Sequence, residues 1–278
     1  MRRQKPLRAA ALLLALLVPS PRAETGPDAE IAAFLAQHGI PGLAVGWTTP
    51  DGDELRVYGV ADPATGRPVR ETTRFELGSI SKTFTATLTA LAAETGVLDP
   101  DDAAATWVPR LEGSAAGALS LARLAAHVNG GLPLQFPDTV ADDTDAVDWL
   151  AAWTPRGSQP PLRSYSNPGM GLLGLATAGA YHDRFETLVE TRLLRPLGLA
   201  QTGYGADPVR DAVGRRRTGE AVVLTPGPLD GPAYGLRSTA PELLHWLAAQ
   251  LGRGTLAPEL ARALTRTHAG RDRKSTRL

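Results

Sequence analysis

Residues 75–84 of the 278-residue chain read FELGSISKTF, and this stretch decides how the rest of the sequence is interpreted. Ser79 and Lys82 are three residues apart, a spacing that places both side chains on one face of a helix. Gly78 allows a sharp turn into that helix, so Ser79 stands at its amino end, where free backbone N–H groups favour a developing alkoxide. The spacing therefore predicts a serine nucleophile with an amine beside it.

Composition singles out the same amine. Only three of the 29 basic residues are lysines, namely Lys5, Lys82 and Lys274. An arginine keeps its proton in a protein, whereas a buried lysine can release it. A lone lysine in a body that otherwise uses arginine indicates a proton-transfer role for Lys82; the alternative is a lysine retained by chance.

A second motif, YSN at residues 165–167, lies in a loop before a helix that Pro168 opens. A tyrosine beside an ammonium group has a lowered pKa and can relay a proton between nucleophile and leaving group. Asn167 offers both a donor and an acceptor to a substrate amide. Alone, Tyr165 is better explained as a loop residue at the start of a helix; together with Ser79 and Lys82 it indicates a catalytic cluster.

The pattern of the chain predicts an α+β fold, with an antiparallel sheet flanked by helices and a helical domain. A helix is expected over residues 28–38, followed by a hairpin with strands 43–48 and 55–60 and a turn at 50–53. Beyond the hairpin only residues 221–224 indicate another strand. Helices are expected over residues 79–95, 120–127, 143–153, 168–180, 184–194 and 241–251.

The two ends of the chain differ from its body. Residues 1–23 hold five basic residues, no acid and an apolar run at 9–18 that is too short to span a bilayer. This pattern predicts an export signal cleaved after Ala23 and a periplasmic protein; a membrane-anchoring helix is the alternative. Residues 271–278 form a basic, unpatterned tail that we expect to be foreign to a single catalytic region at 24–270.

Charge and composition exclude several kinds of partner. Residues 24–270 carry 20 Lys and Arg against 28 Asp and Glu, which argues against nucleic acid and anionic membranes. The chain has no cysteine, so a disulfide scaffold and a thiolate zinc site are excluded. Its five histidines show no metal-ligand spacing. We therefore expect a monomer that acts on a small molecule without metal or cofactor.

One glycine motif points elsewhere but lacks its context. Residues 169–174 read GMGLLG, which matches the dinucleotide-binding pattern G-x-G-x-x-G. No strand is predicted before it, so we expect these glycines to let a helix pack closely beneath the site instead.

Four segments together resemble the class C serine beta-lactamases and the related penicillin-recognising D-alanyl-D-alanine peptidases. They are residues 75–84, 130–138 (GGLPLQFPD), 165–167 and 233–239 (AYGLRST), in the order and spacing of that family. The resemblance implies a beta-lactamase/transpeptidase-like fold and a beta-lactam substrate. It also implies the site residues: Ser79 as acylated nucleophile, Lys82 and Tyr165 as proton-transfer pair, Gln135 and Asn167 as holders of the substrate's side-chain amide, and Tyr234 as the opposite wall.

The sequence departs from this family in two places. Val128 and Asn129 stand before the double glycine where small residues are usual, which we interpret as a local packing difference. The third motif, Lys-Thr-Gly or His-Thr-Gly on a strand that supplies the second oxyanion N–H, is absent from the chain. We expect a truncated reading frame that lacks the carboxyl-terminal sheet strands. The hairpin would then keep an unpaired edge and an uncovered apolar face, so the chain is expected to fold poorly or aggregate.

Two alternatives to a beta-lactamase stay open at this point. A D-Ala-D-Ala carboxypeptidase, penicillin-binding protein or related esterase would use the same serine. A non-catalytic fragment would bind a ligand weakly at most.

Overall fold

The computed structural model describes residues 27–155, 163–222 and 227–269. The expected export signal and basic tail lie outside these residues. The chain divides into two compact units, residues 1–39 and 40–278. In the first unit, helix α1 spans Pro27–His38, which confirms the predicted helix.

The second unit begins with the predicted hairpin. Strand β1 spans Gly42–Thr49 and β2 spans Gly52–Asp62, and the two pair antiparallel around a two-residue turn that is tighter than the predicted one. A short strand β3, Arg67–Pro68, extends the sheet on the far side of β2. Leu244 of a later helix packs against the hairpin at Gly46. The expectation of an uncovered apolar face of the hairpin stays a prediction.

The six helices predicted for this unit are present in the predicted order, and most boundaries agree within two residues, but the helices at 104–107, 231–234 and 258–267 were not predicted. Side-chain caps fix several helix starts: Ser120, Asp142 and Ser166 each accept a hydrogen bond from the backbone N–H three residues on. The helices are α2 Ser81–Glu94, α3 Ala104–Trp107, α4 Leu121–Ala125, α5 Asp143–Ala152, α6 Asn167–Tyr181, α7 Phe185–Val189, α8 Gly231–Tyr234, α9 Ala240–Gln250 and α10 Pro258–Thr267.

Two further pairs of short strands lie beyond the hairpin sheet. Strand β4, Arg74–Glu76, pairs with β7, Arg237–Thr239, and β5, Gly214–Arg215, pairs with β6, Ala221–Val222. The expectation of only one further strand is therefore wrong. Strand β6 is the start of the predicted one, whose residues 223 and 224 lie outside the described part. Strands of two or three residues are too short to show an alternating pattern, so their sequences give little signal.

Two hydrophobic clusters form the interior of the second unit, residues 40–278. The first joins α2 to α7, α9 and α10, and Phe84 stacks on Trp246 within it at a centroid distance of 3.9 Å. The second is built mainly from α3, α4, α5 and α6 and reaches α2 at Ala92. Helix α2 therefore stands between the clusters, and the two residues directly before it, Ser79 and Ile80, lie at the surface. No helix of the described residues is long and apolar enough to cross a membrane.

Candidate active site

Ser79 lies on an exposed turn just ahead of α2. The turn is a 3-10 helix, Gly78–Ile80, and the α-helix proper begins only at Ser81. The prediction that Ser79 opens an α-helix is therefore wrong by two residues. Gly78 has a φ of +52°, a conformation that glycine adopts without a steric penalty. The turn presents the Ser79 hydroxyl to solvent while the chain behind it enters the core.

Lys82 is buried next to this hydroxyl. Its side chain is 7% exposed, and its Nζ donates hydrogen bonds to Ser79 Oγ at 3.0 Å and to the Ala233 carbonyl at 2.7 Å. Within the described residues the ammonium makes no ion pair with a carboxylate. It lies instead over two aromatic rings, 5.0 Å from the Tyr165 centroid and 6.0 Å from that of Tyr234. The amine is thus fixed by neutral groups and directed at the serine.

Tyr165 completes the cluster from the loop before α6. Partial burial raises the pKa of its phenol, but hydrogen bonds with Ser79 and Lys82 and the charge of the ammonium outweigh burial, so the pKa lies below its ordinary value. The ring itself is 46% exposed. Ser79, Lys82 and Tyr165, which sequence reasoning selected, therefore lie together: Lys82 Nζ is 3.0 Å from Ser79 Oγ and 5.0 Å from the centroid of the Tyr165 ring.

The three residues expected to bind substrate lie around this cluster. The Tyr234 hydroxyl is hydrogen-bonded to Asp230 and Gln135, and its pKa is raised by burial, by the Asp230 hydrogen bond and by the Asp230 charge. Asn167 begins α6, and its backbone N–H donates to the Leu134 carbonyl at 3.0 Å. Its Oδ1 is buried and accepts no hydrogen bond from the described residues.

An ion-pair network holds the two sides of the site together. Asp211 accepts from Arg74 Nε at 2.7 Å and lies 3.4 Å from Arg237 Nε, while Arg237 also donates to Glu76 at 2.8 Å. These side chains join β4, which leads into Ser79, to β7, which follows Tyr234. The backbone continues the link, because Leu77 N–H donates to the Leu236 carbonyl at 2.9 Å.

Sequence reasoning missed His127 and Asn129, which stand behind Tyr165. The His127 ring stacks on the Tyr165 ring at a centroid distance of 4.5 Å. Burial and the charges of Lys82 and Arg163 lower the pKa of His127 to about 4, so the imidazole is neutral at physiological pH. Asn129 is fully buried. No spacing in the sequence marks either residue, since their partners lie more than 30 positions away.

The described residues contain no group of three or more His, Cys, Asp or Glu side chains placed to hold a metal ion. The chemistry available to the cluster is nucleophilic attack by the Ser79 hydroxyl, with Lys82 and Tyr165 in position to move its proton.

Comparison with known proteins gives a consistent result. The beta-lactamase family model matches residues 27–277. A beta-lactamase from Lysobacter lactamgenus is 35% identical over 257 residues, which are 90% of this chain and 67% of that protein. The crystal structure of a class C beta-lactamase from Rhodobacter sphaeroides is 43% identical with a TM-score of 0.82, covering 88% of this chain and 70% of that one.

A D-alanine carboxypeptidase from Burkholderia cenocepacia is also similar, at 38% identity and a TM-score of 0.78, covering 87% of this chain and 68% of that one. The chain thus spans about two thirds of the length of these relatives. The similarity confirms the expected beta-lactamase/transpeptidase-like α+β fold. The chain belongs to the beta-lactamase family, among the class C enzymes.

Proposed function

We propose that this chain carries the catalytic cluster of a serine beta-lactamase, which opens the beta-lactam amide through an acyl-enzyme on Ser79. One observation supports this above all: Lys82 Nζ lies 3.0 Å from Ser79 Oγ, and the centroid of the Tyr165 ring lies 5.0 Å from the same nitrogen. A serine is a weak nucleophile until a neighbouring base takes its proton, and two candidate bases touch it here.

The proposed reaction has two steps. Ser79 Oγ attacks the lactam carbonyl while its proton passes to the Tyr165–Lys82 pair, and the C–N bond then breaks as the pair returns a proton to the amide nitrogen. In the second step the same pair accepts a proton from the water molecule that attacks the ester carbonyl, and it returns that proton to Ser79 Oγ as the ester C–O bond breaks and the hydrolysed product leaves. The lowered pKa of Tyr165 supports its part as base, because a phenolate is then formed more easily.

The residues around the cluster suit an amide-bearing substrate. The side chain of Asn167 is partly exposed, and its amide can offer both a donor and an acceptor to the side-chain amide of a substrate. Gln135 interacts with the Tyr234 hydroxyl. We propose that these three side chains orient a beta-lactam such as a cephalosporin, with no cofactor.

A D-Ala-D-Ala carboxypeptidase is the second candidate, because a structure described as a D-alanine carboxypeptidase is 38% identical to this chain. Its serine would be acylated by a beta-lactam as well, but the acyl-enzyme would persist. The lifetime of the adduct and the cleavage of a D-Ala-D-Ala peptide distinguish the two activities.

The experiment is intact-mass spectrometry of the 278-residue chain with a cephalosporin. We expect an adduct on the wild type and none on Ser79→Ala, since loss of the nucleophile in a serine hydrolase costs about 10⁶-fold in rate. Tyr165→Phe keeps the ring and removes the hydroxyl, and should form the adduct about 10²- to 10⁴-fold more slowly. An adduct that survives in Ser79→Ala would refute the proposal, and no adduct on the wild type would favour a non-catalytic fragment.

Export to the periplasm is proposed as well, from the basic start and apolar run of residues 1–23.

A further inference from the structure

Two buried polar side chains in the loop after α4 have no part in the proposed chemistry. His127 is 7% exposed, and Asn129 is completely inaccessible to solvent. Buried polar groups are retained in a fold when their hydrogen bonds are made, so the partners of these two residues indicate what they do.

Three contacts of His127 converge on Tyr165 and its neighbours. The His127 carbonyl accepts from Ser164 N–H at 2.8 Å, and its Nδ1 accepts from Ser166 N–H at 3.3 Å. Between these two bonds the imidazole stacks on the Tyr165 ring, with an interplanar angle of 27°. His127 adopts a φ of +58°, which turns its carbonyl and its ring toward the same loop. One residue therefore holds the backbone on both sides of Tyr165 and the ring between them.

Asn129 connects the same loop to the segment that leads to Gln135. Its Nδ2 donates to the Ser164 carbonyl at 2.8 Å, and its Oδ1 accepts from the N–H groups of Gly131 at 3.2 Å and Leu132 at 3.1 Å. A second link runs parallel to it, since Ser164 Oγ donates to the Leu132 carbonyl at 2.9 Å. Asn129 is thus more than a local packing difference, because it joins two loops of the site.

We propose that His127 and Asn129 are positioning residues that hold the Tyr165 hydroxyl against Ser79 and Lys82. The ring of Tyr165 is nearly half exposed, so burial alone does not fix its orientation. A displacement of about 1 Å in a catalytic group can cost about 100-fold in rate. The stacked imidazole and the hydrogen bonds to residues 164 and 166 supply the constraint that burial does not. The expected effect on the reaction rate rests on the proposed function, whereas the claim that these two residues position Tyr165 does not.

The protonation state of His127 agrees with this role. Its Nδ1 can accept from Ser166 N–H only when that nitrogen carries no proton. Burial keeps the imidazole neutral, and so do the two cations that face it, Lys82 and Arg163, while the ring of Tyr165 stacks on it.

Paired variants separate the contacts. His127→Phe keeps a ring and removes the acceptor, whereas His127→Asn keeps an acceptor, tolerates the positive φ and removes the ring. Asn129→Asp keeps the acceptor for Gly131 and Leu132 and removes the donor to Ser164, while Asn129→Ala removes both. Ser120→Ala is the control, because it removes the cap of α4 without touching residues 164–166.

The first measurement uses no substrate. The phenol of Tyr165 is titrated by NMR of chains labelled with ¹³C at tyrosine Cζ, and its signal is assigned with Tyr165→Phe. We expect all four variants to shift the Tyr165 titration to higher pH, because the hydroxyl leaves Ser79 and Lys82, and we expect Ser120→Ala to leave it unchanged. Far- and near-UV circular dichroism checks that each variant folds. If His127→Phe or Asn129→Ala does not fold, His127→Asn or Asn129→Asp supplies the measurement for that residue.

The second measurement is turnover of a chromogenic cephalosporin. We expect kcat to fall about 100-fold in His127→Phe and Asn129→Ala with little change in KM, since the substrate contacts remain. Folded variants whose Tyr165 titration and kcat both equal those of the wild type would overturn the inference. A wild type without activity would refute the proposed function instead, and the titration would still decide whether these residues position Tyr165.

Discussion

At the scale of single residues, the site shows how far chemistry can be inferred from residue types. Ser79 and Lys82 were predicted from a three-residue spacing, and a helical turn brings them into contact whatever the rest of the fold does. Tyr165 lies more than 80 positions away, so no local spacing links it to them; the chemistry of the YSN motif selected it, and the family resemblance implied the same role. His127 could not be predicted, because its stack on Tyr165 depends on the relative position of two loops.

His127 also predicts how stability depends on pH. Its pKa is about 4 in the folded protein against 6.5 in an unfolded chain, so on acidification the unfolded chain takes up the proton first. Its contribution to stability is therefore complete above pH 6.5 and is lost as the pH falls from 6.5 to 4. The loss is on the order of 2 kcal/mol, since each pKa unit corresponds to about 1.4 kcal/mol and partial solvation reduces the total.

Urea denaturation at several pH values between about 4 and 7 measures this loss. His127→Asn should be less stable than the wild type near neutral pH, and the difference should narrow as the pH approaches the folded-state pKa of His127. His268→Gln, a change at an exposed histidine that contacts Gln250, is the matched control and should parallel the wild type. Parallel curves for all three proteins would show that His127 does not titrate in this window.

At the scale of elements, helix α6 explains the glycine motif that resembled a dinucleotide site. A Cβ on Gly171 would lie 2.7 Å from the Leu229 Cβ, and one on Gly174 would lie 2.2 Å from the Pro232 ring. The glycines thus let α8 lie directly on α6, as the sequence indicated. Helix α8 carries the Ala233 carbonyl that accepts from Lys82, so this close approach sets one wall of the site.

Gly174→Ala tests the close packing of α8 on α6. This substitution has two opposing effects on stability. Alanine is favoured over glycine inside a helix by about 1 kcal/mol. The added methyl group would meet the rigid Pro232 ring, and overpacking of this kind costs about 1–3 kcal/mol. We expect the clash with Pro232 to outweigh the gain in helix propensity, so Gly174→Ala should show a lower free energy of unfolding than the wild type in chemical denaturation.

Gly203→Ala is the matched control, because its φ is not positive and no atom lies within 4 Å of the added Cβ. It should leave stability unchanged or raise it slightly. A Gly174→Ala protein that is more stable than the wild type would mean that α8 moves away from α6 at little cost.

Element length explains only part of what could be predicted. Helices α2, α5, α6 and α9 run for ten residues or more, and their periodicity located them to within two residues, whereas α10, also ten residues long, was not predicted. Strands β4 and β7 have three residues each and join segments 161 positions apart at Glu76 and Arg237. Such a pairing depends on long-range packing and on the Asp211 ion pairs, neither of which leaves a local pattern.

At the scale of the whole molecule, helix α2 is held from both ends. Its start carries Lys82 into the site, and at its last residue Glu94 accepts from Arg262 and Arg266 of α10 at 3.0 and 2.8 Å. The fold class could be predicted because the hydrophobic pattern of the sequence indicates the order of the hairpin and the helices. The division of the interior into two hydrophobic clusters could not be predicted, because it depends on which helices pack against each other.

The sheet leads to a prediction about the behaviour of the chain in solution. Strand β1 pairs with β2 on one side only, and no described strand pairs with its other edge. An edge of eight residues with free backbone groups can pair with a second chain and start aggregation, and a charged side chain on the edge opposes this. Val45→Glu puts a carboxylate at the middle of β1, opposite Arg56 in the register, where it also gains a cross-strand partner of opposite charge.

We therefore expect Val45→Glu to slow the growth of light scattering in concentrated solution several-fold relative to the unaltered chain. Val209→Glu makes the same substitution at a residue that is 78% exposed and outside the sheet, and it changes net charge equally. If general charge repulsion governed aggregation, the two variants would behave alike, whereas an edge mechanism requires that only Val45→Glu has the large effect. A chain that stays monomeric at all concentrations, with a protease-resistant core of nearly full length, would show that the β1 edge is not a site of association.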